Sequence, residues 1–233
     1  MSNDDYGDDS LYTDGADMDI PTQFTPSADY VAHDGPRDVG IVFIGDSFVS
    51  GYGDPKGHGW VSRVVGRTQH PELDLTTYNL GIRGDSSADV LNRWRSEGMP
   101  RWKDRRERRL VLGVGIHDID QGLTTARSRL NLANVLDDAT ARGISPFVVG
   151  PAPTLDEERN AKLEVIVEAQ SDVCSRRSIP FVDCFYPLLE HDQWISELAS
   201  SRDQIHPGQA GYGLLAWLVL HGDWATWLQI PQE

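Results

Sequence analysis

Cysteine is nearly absent from this chain. Its 233 residues include only two, Cys174 and Cys184. Neither has metal-ligand spacing or a histidine close by, so the pair excludes a structural zinc site and a disulfide framework. Both read as reduced, small core residues of a cytoplasmic protein, with a single disulfide between them as the alternative. Long apolar runs are also missing. The longest covers residues 214–220, seven in all, where a membrane span needs roughly 18. The N-terminus has neither a basic region nor an apolar core, so no secretory signal is expected. Positive charge is scarce too, with a formal net charge of −15. An acidic chain suits nucleic acid poorly, because phosphates attract cations. His58, His70, His191 and His221 lack metal-ligand spacing. Asp46 and Asp118 alone are too few for an oxygen-only metal site and are expected to brace loops. No metal or cofactor is expected.

The acidity that is present is unevenly spread. Residues 1–40 hold ten aspartates against Arg37, a net −9, which leaves −6 for the remainder. Residues 1–36 are rich in Asp, Gly, Ser and Pro and are expected to form a disordered leader. The length suits one domain, placed at residues 37–233. Residues 93–109 carry eight basic and three acidic side chains. This stretch reads as a solvated face, and the acidic leader could fold onto it through weak, salt-screened pairs.

From Val39 the pattern alternates between strand and helix, which argues for a parallel sheet with crossover helices. Strands are expected at 39–45, 73–80, 109–115, 145–150 and 179–183. The second reads as an edge strand, and the third, a continuous apolar run, suits the sheet centre. Helices are expected at 59–65, 86–94, 124–142, 156–177, 187–199 and 208–220. The tryptophans at helical spacing read as core or rim.

The first strand breaks at Gly45-Asp46-Ser47. That places a hydroxyl at the carboxyl edge of a sheet, where α/β folds keep their chemistry. Alone, Ser47 reads as a helix cap. Near the far end, Asp203 and His206 stand three residues apart, so the carboxylate can reach the imidazole. Together they form a candidate triad, with Ser47 as nucleophile, His206 as general base and then acid, and Asp203 fixing the tautomer. Val49 stands where a nucleophile elbow needs glycine, which excludes that motif.

Four blocks, Gly45-Asp46-Ser47-Phe48, Leu80-Gly81-Ile82-Arg83, Gly115-Ile116-His117-Asp118 and Asp203-x-x-His206, together resemble the GDSL, or SGNH, hydrolases. The wider run from Gly45 to Trp60 looks like a small bacterial GDSL-type esterase/lipase subgroup. The resemblance implies a three-layer αβα sandwich with a five-stranded parallel sheet of order 2-1-3-4-5. It implies a carboxylic ester hydrolase whose oxyanion hole maps to Ser47, Gly81 and His117. The family carries Asn where this chain has His117. An imidazole can donate in place of an amide, depending on its tautomer. A structural histidine beside Asp118 is the other reading. Gly81 could equally serve only to permit a turn. Arg83 could touch an anionic substrate group, although a surface pair with Asp85 is the simpler expectation, and Trp194 could line the pocket. The expected partner is a small-molecule ester with a short acyl group, acetyl included, and the oligomeric state is left open. A catalytically weak or inactive SGNH-fold binding protein is the alternative, and His117 is what favours it.

Overall fold

The computed structural model describes residues 35–231. All but the last two residues of the predicted leader fall outside that range, and so does its docking onto 93–109. Five strands form the sheet: β1 (Arg37–Gly45), β2 (Leu73–Gly81), β3 (Glu107–Gly113), β4 (Ile144–Val149) and β5 (Phe181–Val182). They are parallel and lie in the order β2-β1-β3-β4-β5, with β2 at one edge and β3 in the middle.

Strand periodicity sorts the apolar residues onto two faces. Val39, Ile41, Phe43, Val111 and Phe147 pack with Trp60, Trp194, Tyr212 and Trp224 on one face. Val42, Ile44, Leu110, Leu112 and Val148 pack with Trp94, Trp102, Leu132 and Leu136 on the other. Both faces are covered by helices, which is why the central strands read as unbroken apolar runs. Trp217 is 51% exposed, whereas Trp60, Trp94, Trp102, Trp194, Trp224 and Trp227 are buried. Cys174 and Cys184 are free and buried. Burial keeps both thiols protonated and pushes Cys174 up to about 12. Among the described residues, no helix is long and apolar enough to cross a membrane.

Several boundaries differ from the sequence pattern. Strand β5 has two residues where five were expected, because Pro180 has no N–H to offer a ladder. The helices in chain order are α1 (Ser47–Ser50), α2 (Gly59–Arg67), α3 (Ser87–Arg101), α4 (Ile116–Asp120), α5 (Thr125–Ala141), α6 (Glu157–Ser175), α7 (Tyr186–Leu189), α8 (Asp192–Ser200), α9 (Gln209–His221) and α10 (Trp224–Leu228). Helix α3 runs two turns past its expected end. The extension brings Trp102 onto β1, where its indole N–H donates to Gly40 O at 3.0 Å. The single helix expected at 187–199 is two, α7 and α8. Helix α10 was not expected at all; the indoles of Trp224 and Trp227 flank Phe147, with ring centroids 5.3 and 5.1 Å away.

The amino-terminal edge of the sheet is tied by charge. Arg37 grips Glu107 with two hydrogen bonds of 2.7 Å. Arg109 donates to Glu107 at 2.9 Å and to Trp227 O. The Arg37 hydrogen bond is the main reason the Glu107 carboxyl falls to about 2. Three arginines of the basic stretch, Arg93, Arg105 and Arg109, are thus engaged within the domain, with Asp85, Asp38 and Glu107.

At the carboxyl edge, Gly45 pairs in register with both Gly81 and Gly113. A Cβ at Gly45 would sit 2.0 Å from Gly113 O, and one at Gly81 would sit 2.2 Å from Ser50 N. This row without side chains lets the first turn after β1 lie directly across the strand ends.

Candidate active site

That first turn is α1. Its cap is Asp46, whose Oδ1 accepts the Phe48 N–H at 2.9 Å. The capping reading of Ser47 is therefore corrected: with Asp46 in that role, the Ser47 hydroxyl is free to face other groups. Asp46 is buried behind it, and burial pushes its carboxyl up to about 7.

The histidine arrives from the loop before α9. Asp203 Oδ1 accepts the backbone N–H of Ile205 at 3.1 Å and of His206 at 3.0 Å. Gln204 between them takes a left-handed φ of 56° to close the turn. Asp203 Oδ2 then lies 2.7 Å from His206 Nδ1, and His206 Nε2 lies 2.7 Å from Ser47 Oγ. The ring packs against Phe48 and Tyr52, each centroid 4.9 Å away. Burial lowers the His206 pKa; Asp203 opposes this, while His117 and Arg83 add to it. For Asp203 burial acts upward, but the N–H and imidazole donors outweigh it and hold the carboxyl low.

A second imidazole reaches the same hydroxyl. His117 on α4 places Nε2 3.2 Å from Ser47 Oγ. Its Nδ1 lies 2.9 Å from Asp120 Oδ2, which also accepts from Arg159 Nη2 at 2.7 Å. Asp118, the neighbour expected from the sequence, is turned away. It accepts the Ser87 N–H at 2.6 Å and the Ser128 hydroxyl, and so braces α3 and α5 against α4.

Three other predicted site residues sit differently from their expectation. The Gly81 amide donates to Asn79 Oδ1 at 2.9 Å. Ile82 N–H points back to Gly45 O at 2.9 Å, so the amide before it faces away from β1. Gly81 is thus a steric necessity whose N–H is already committed. Gly84, three residues on, has a φ of 86° and open space over its Cα. Among the described hydrogen bonds, the Gly84 and Ser47 amides have no acceptor. The signal that could have found Gly84 is its place just before the Ser86–Asp89 capping box. Arg83 does not pair with Asp85. It lies over the Tyr52 ring, 3.4 Å from the centroid, while Asp85 binds Arg93 at 2.5 Å. Trp194 is buried in the core, its indole N–H donating to Pro153 O at 3.0 Å.

Two hollows lie near the triad, one lined in part by Asp46 and Phe48 and the other by Asp203 and His206. An apolar cleft of about 20 Å³ lies between Phe48, Val114, Ile116, Pro151 and Ala152. A wider groove of about 410 Å³ runs past Tyr52, Glu197, Arg202, Asp203 and His206. Among the described residues, no three His, Cys, Asp or Glu side chains gather as a metal site.

The comparisons with known proteins agree with this fold. A lipase/acylhydrolase from Enterococcus faecalis is similar in structure, with a TM-score of 0.65 and 21% identity over 83% of this chain and 98% of the other. A variant of Axe2, an acetyl-xylooligosaccharide esterase from Geobacillus stearothermophilus, superposes with a TM-score of 0.69 at 17% identity, over 85% and 99% of the two chains. TesA gives 0.63 at 23% identity, over 77% and 95%. At these identities the likeness shows the fold. No curated protein sequence matches. The family model described as GDSL-like lipase/acylhydrolase matches residues 43–214, most of the chain. The protein belongs to the GDSL-like lipase/acylhydrolase family.

Proposed function

We propose that the protein is a serine esterase that hydrolyses small acyl esters, acetyl esters above all, through Ser47, His206 and Asp203. The observation that carries this reading is the unbroken chain from Asp203 Oδ2 through His206 to Ser47 Oγ, both links 2.7 Å. Ser47 Oγ attacks the ester carbonyl as its proton passes to His206 Nε2. Asp203 holds the Nδ1–H tautomer and stabilises the imidazolium that forms. His206 then gives the proton to the leaving alcohol, and water releases the acyl group by the reverse sequence. The free amides of Ser47 and Gly84 supply oxyanion donors, in place of the committed Gly81 amide.

The apolar cleft beside Phe48 is assigned to the acyl group. A cleft of about 20 Å³ holds little more than one water-sized group. The groove beside His206 carries Glu197 and Arg202, side chains that suit a hydrophilic alcohol. The fold it shares with an acetyl-xylooligosaccharide esterase is in keeping with both features. The hydrogen-bonded triad argues against the catalytically silent alternative. Fluorophosphonate labelling followed by mass spectrometry tests the nucleophile, and p-nitrophenyl esters of rising chain length test the cleft. An adduct on Ser47 and a kcat/KM that falls beyond short acyl chains are expected. An adduct elsewhere, or a preference for long chains, would overturn the reading.

A further inference from the structure

Ser47 Oγ faces two imidazoles but has one proton. His206 Nε2 is the nearer, at 2.7 Å, and His117 Nε2 lies at 3.2 Å. If the hydroxyl donates to His206, the contact with His117 is a hydrogen bond only if His117 Nε2 carries a proton and donates to Oγ. On the other side of the ring, Nδ1 lies 2.9 Å from an Asp120 oxygen that Arg159 also holds at 2.7 Å. An oxygen that accepts from a guanidinium is a carboxylate acceptor, so Nδ1 needs a proton as well. With the Ser47 proton given to His206, both contacts of His117 are hydrogen bonds only if both of its ring nitrogens donate.

We propose that His117 works as an imidazolium, an oxyanion donor in catalysis kept in place by Asp120, with Arg159 as the residue that positions Asp120. This rests on the Ser47–His206 reading above. As Oγ bonds to the ester carbon, the carbonyl π pair moves onto oxygen, and His117 Nε2–H turns from Oγ to that oxyanion. The proton leaving Oγ goes to His206 alone, and His117 keeps both of its protons through acylation and deacylation. The arrangement also opposes a neutral alternative. With Nδ1–H given to Asp120, a neutral His117 would offer Ser47 a second lone pair and no donor.

The groups facing His117 are few. Asp120 comes from its own helix, Arg159 from α6 and Ser47 from α1, with His206 from the loop before α9. Asp89 of α3 reaches α4 only through Gln121 Nε2 at 2.9 Å. Asp46, behind Ser47, is kept in all the variants used below.

The test is the pH profile of kcat/KM on p-nitrophenyl acetate for the parent, His117→Asn, His117→Ala and Asp120→Asn enzymes. The parent should be bell-shaped, rising as His206 loses its proton and falling as His117 does. His117→Asn should stay active and lose the alkaline fall, because an amide donates at every pH. His117→Ala should lose at least about tenfold, at the low end of the cost of a missing donor. Asp120→Asn should keep a bell whose alkaline limb moves to lower pH, since the cation loses its counter-charge. The acid limb and fluorophosphonate labelling of Ser47 should persist in all four, which keeps a failure here distinct from a failure of the triad. An alkaline limb unchanged in His117→Asn, or a His117→Ala profile equal to the parent, would overturn the proposal.

Discussion

Asp203 Oδ2 lies 2.7 Å from His206 Nδ1, and the same carboxylate also takes the His206 backbone N–H at 3.0 Å. One side chain therefore sets both where the imidazole stands and which nitrogen carries its proton. Asp203→Asn would keep the backbone contact but could donate to Nδ1, turning the wrong tautomer toward Ser47. A loss of kcat on the order of 10²–10⁴ is expected with an unchanged circular dichroism spectrum. Because burial lowers the His206 pKa, the acid limb of the parent kcat/KM profile should lie below the ordinary imidazole value of about 6.5. A limb above that value would mean His206 is not the base.

Asp46 sets a pH dependence of stability. Its carboxyl rises to about 7 through burial, so the folded state holds that proton more tightly than the unfolded one. Stability should fall as pH rises from the ordinary carboxylate range of about 4 to about 7, and stay reduced above it. Asp46→Asn cannot ionise but keeps an acceptor for the Phe48 N–H. Urea melts should find the variant more stable than the parent by about 1–3 kcal/mol at pH 8, and nearly equal at pH 4. Equal stability at both pH values would show that Asp46 ionises without cost.

Glu107 has the opposite sign. Its carboxyl is held at about 2, first by the Arg37 hydrogen bonds. The stabilisation is fully present above the unfolded value and is lost as pH falls from about 4.5 toward about 2. The pair is about a third exposed, so solvent discounts its worth. Glu107→Gln should cost about 1–2 kcal/mol at pH 7, and that difference should vanish near pH 2. A cost that did not shrink on acidification would point to packing, not charge.

Gly81 separates geometry from chemistry. Its amide is already given to Asn79, while a Cβ there would press on the Ser50 backbone at 2.2 Å. Gly81→Ala should lower Tm and activity together, by several degrees or more, as α1 is forced off the strand ends. A variant that lost activity with an unchanged Tm would return Gly81 to the oxyanion hole.

What the sequence determined alone was local. The apolar run ending in Gly45-Asp46-Ser47, the alternation of strands and helices, and the three-residue spacing of Asp203 and His206 are short-range patterns. A pleat, a helical turn or a tight loop converts each directly into geometry. The tertiary structure decided what those patterns meet. Asp46 took the cap that Ser47 could have filled, because β1 ends where Gly113 allows close approach. The direction of the Gly81 amide followed from the β1–β2 register, which sends alternate N–H groups to opposite sides. Arg83 lost Asp85 to Arg93 and settled over Tyr52. His117 found Asp120 one turn on in its own helix and, through it, Arg159 on another. Contacts between distant segments depend on how faces pack after the sheet has formed. No spacing along the chain encodes that a second imidazole would meet the same hydroxyl.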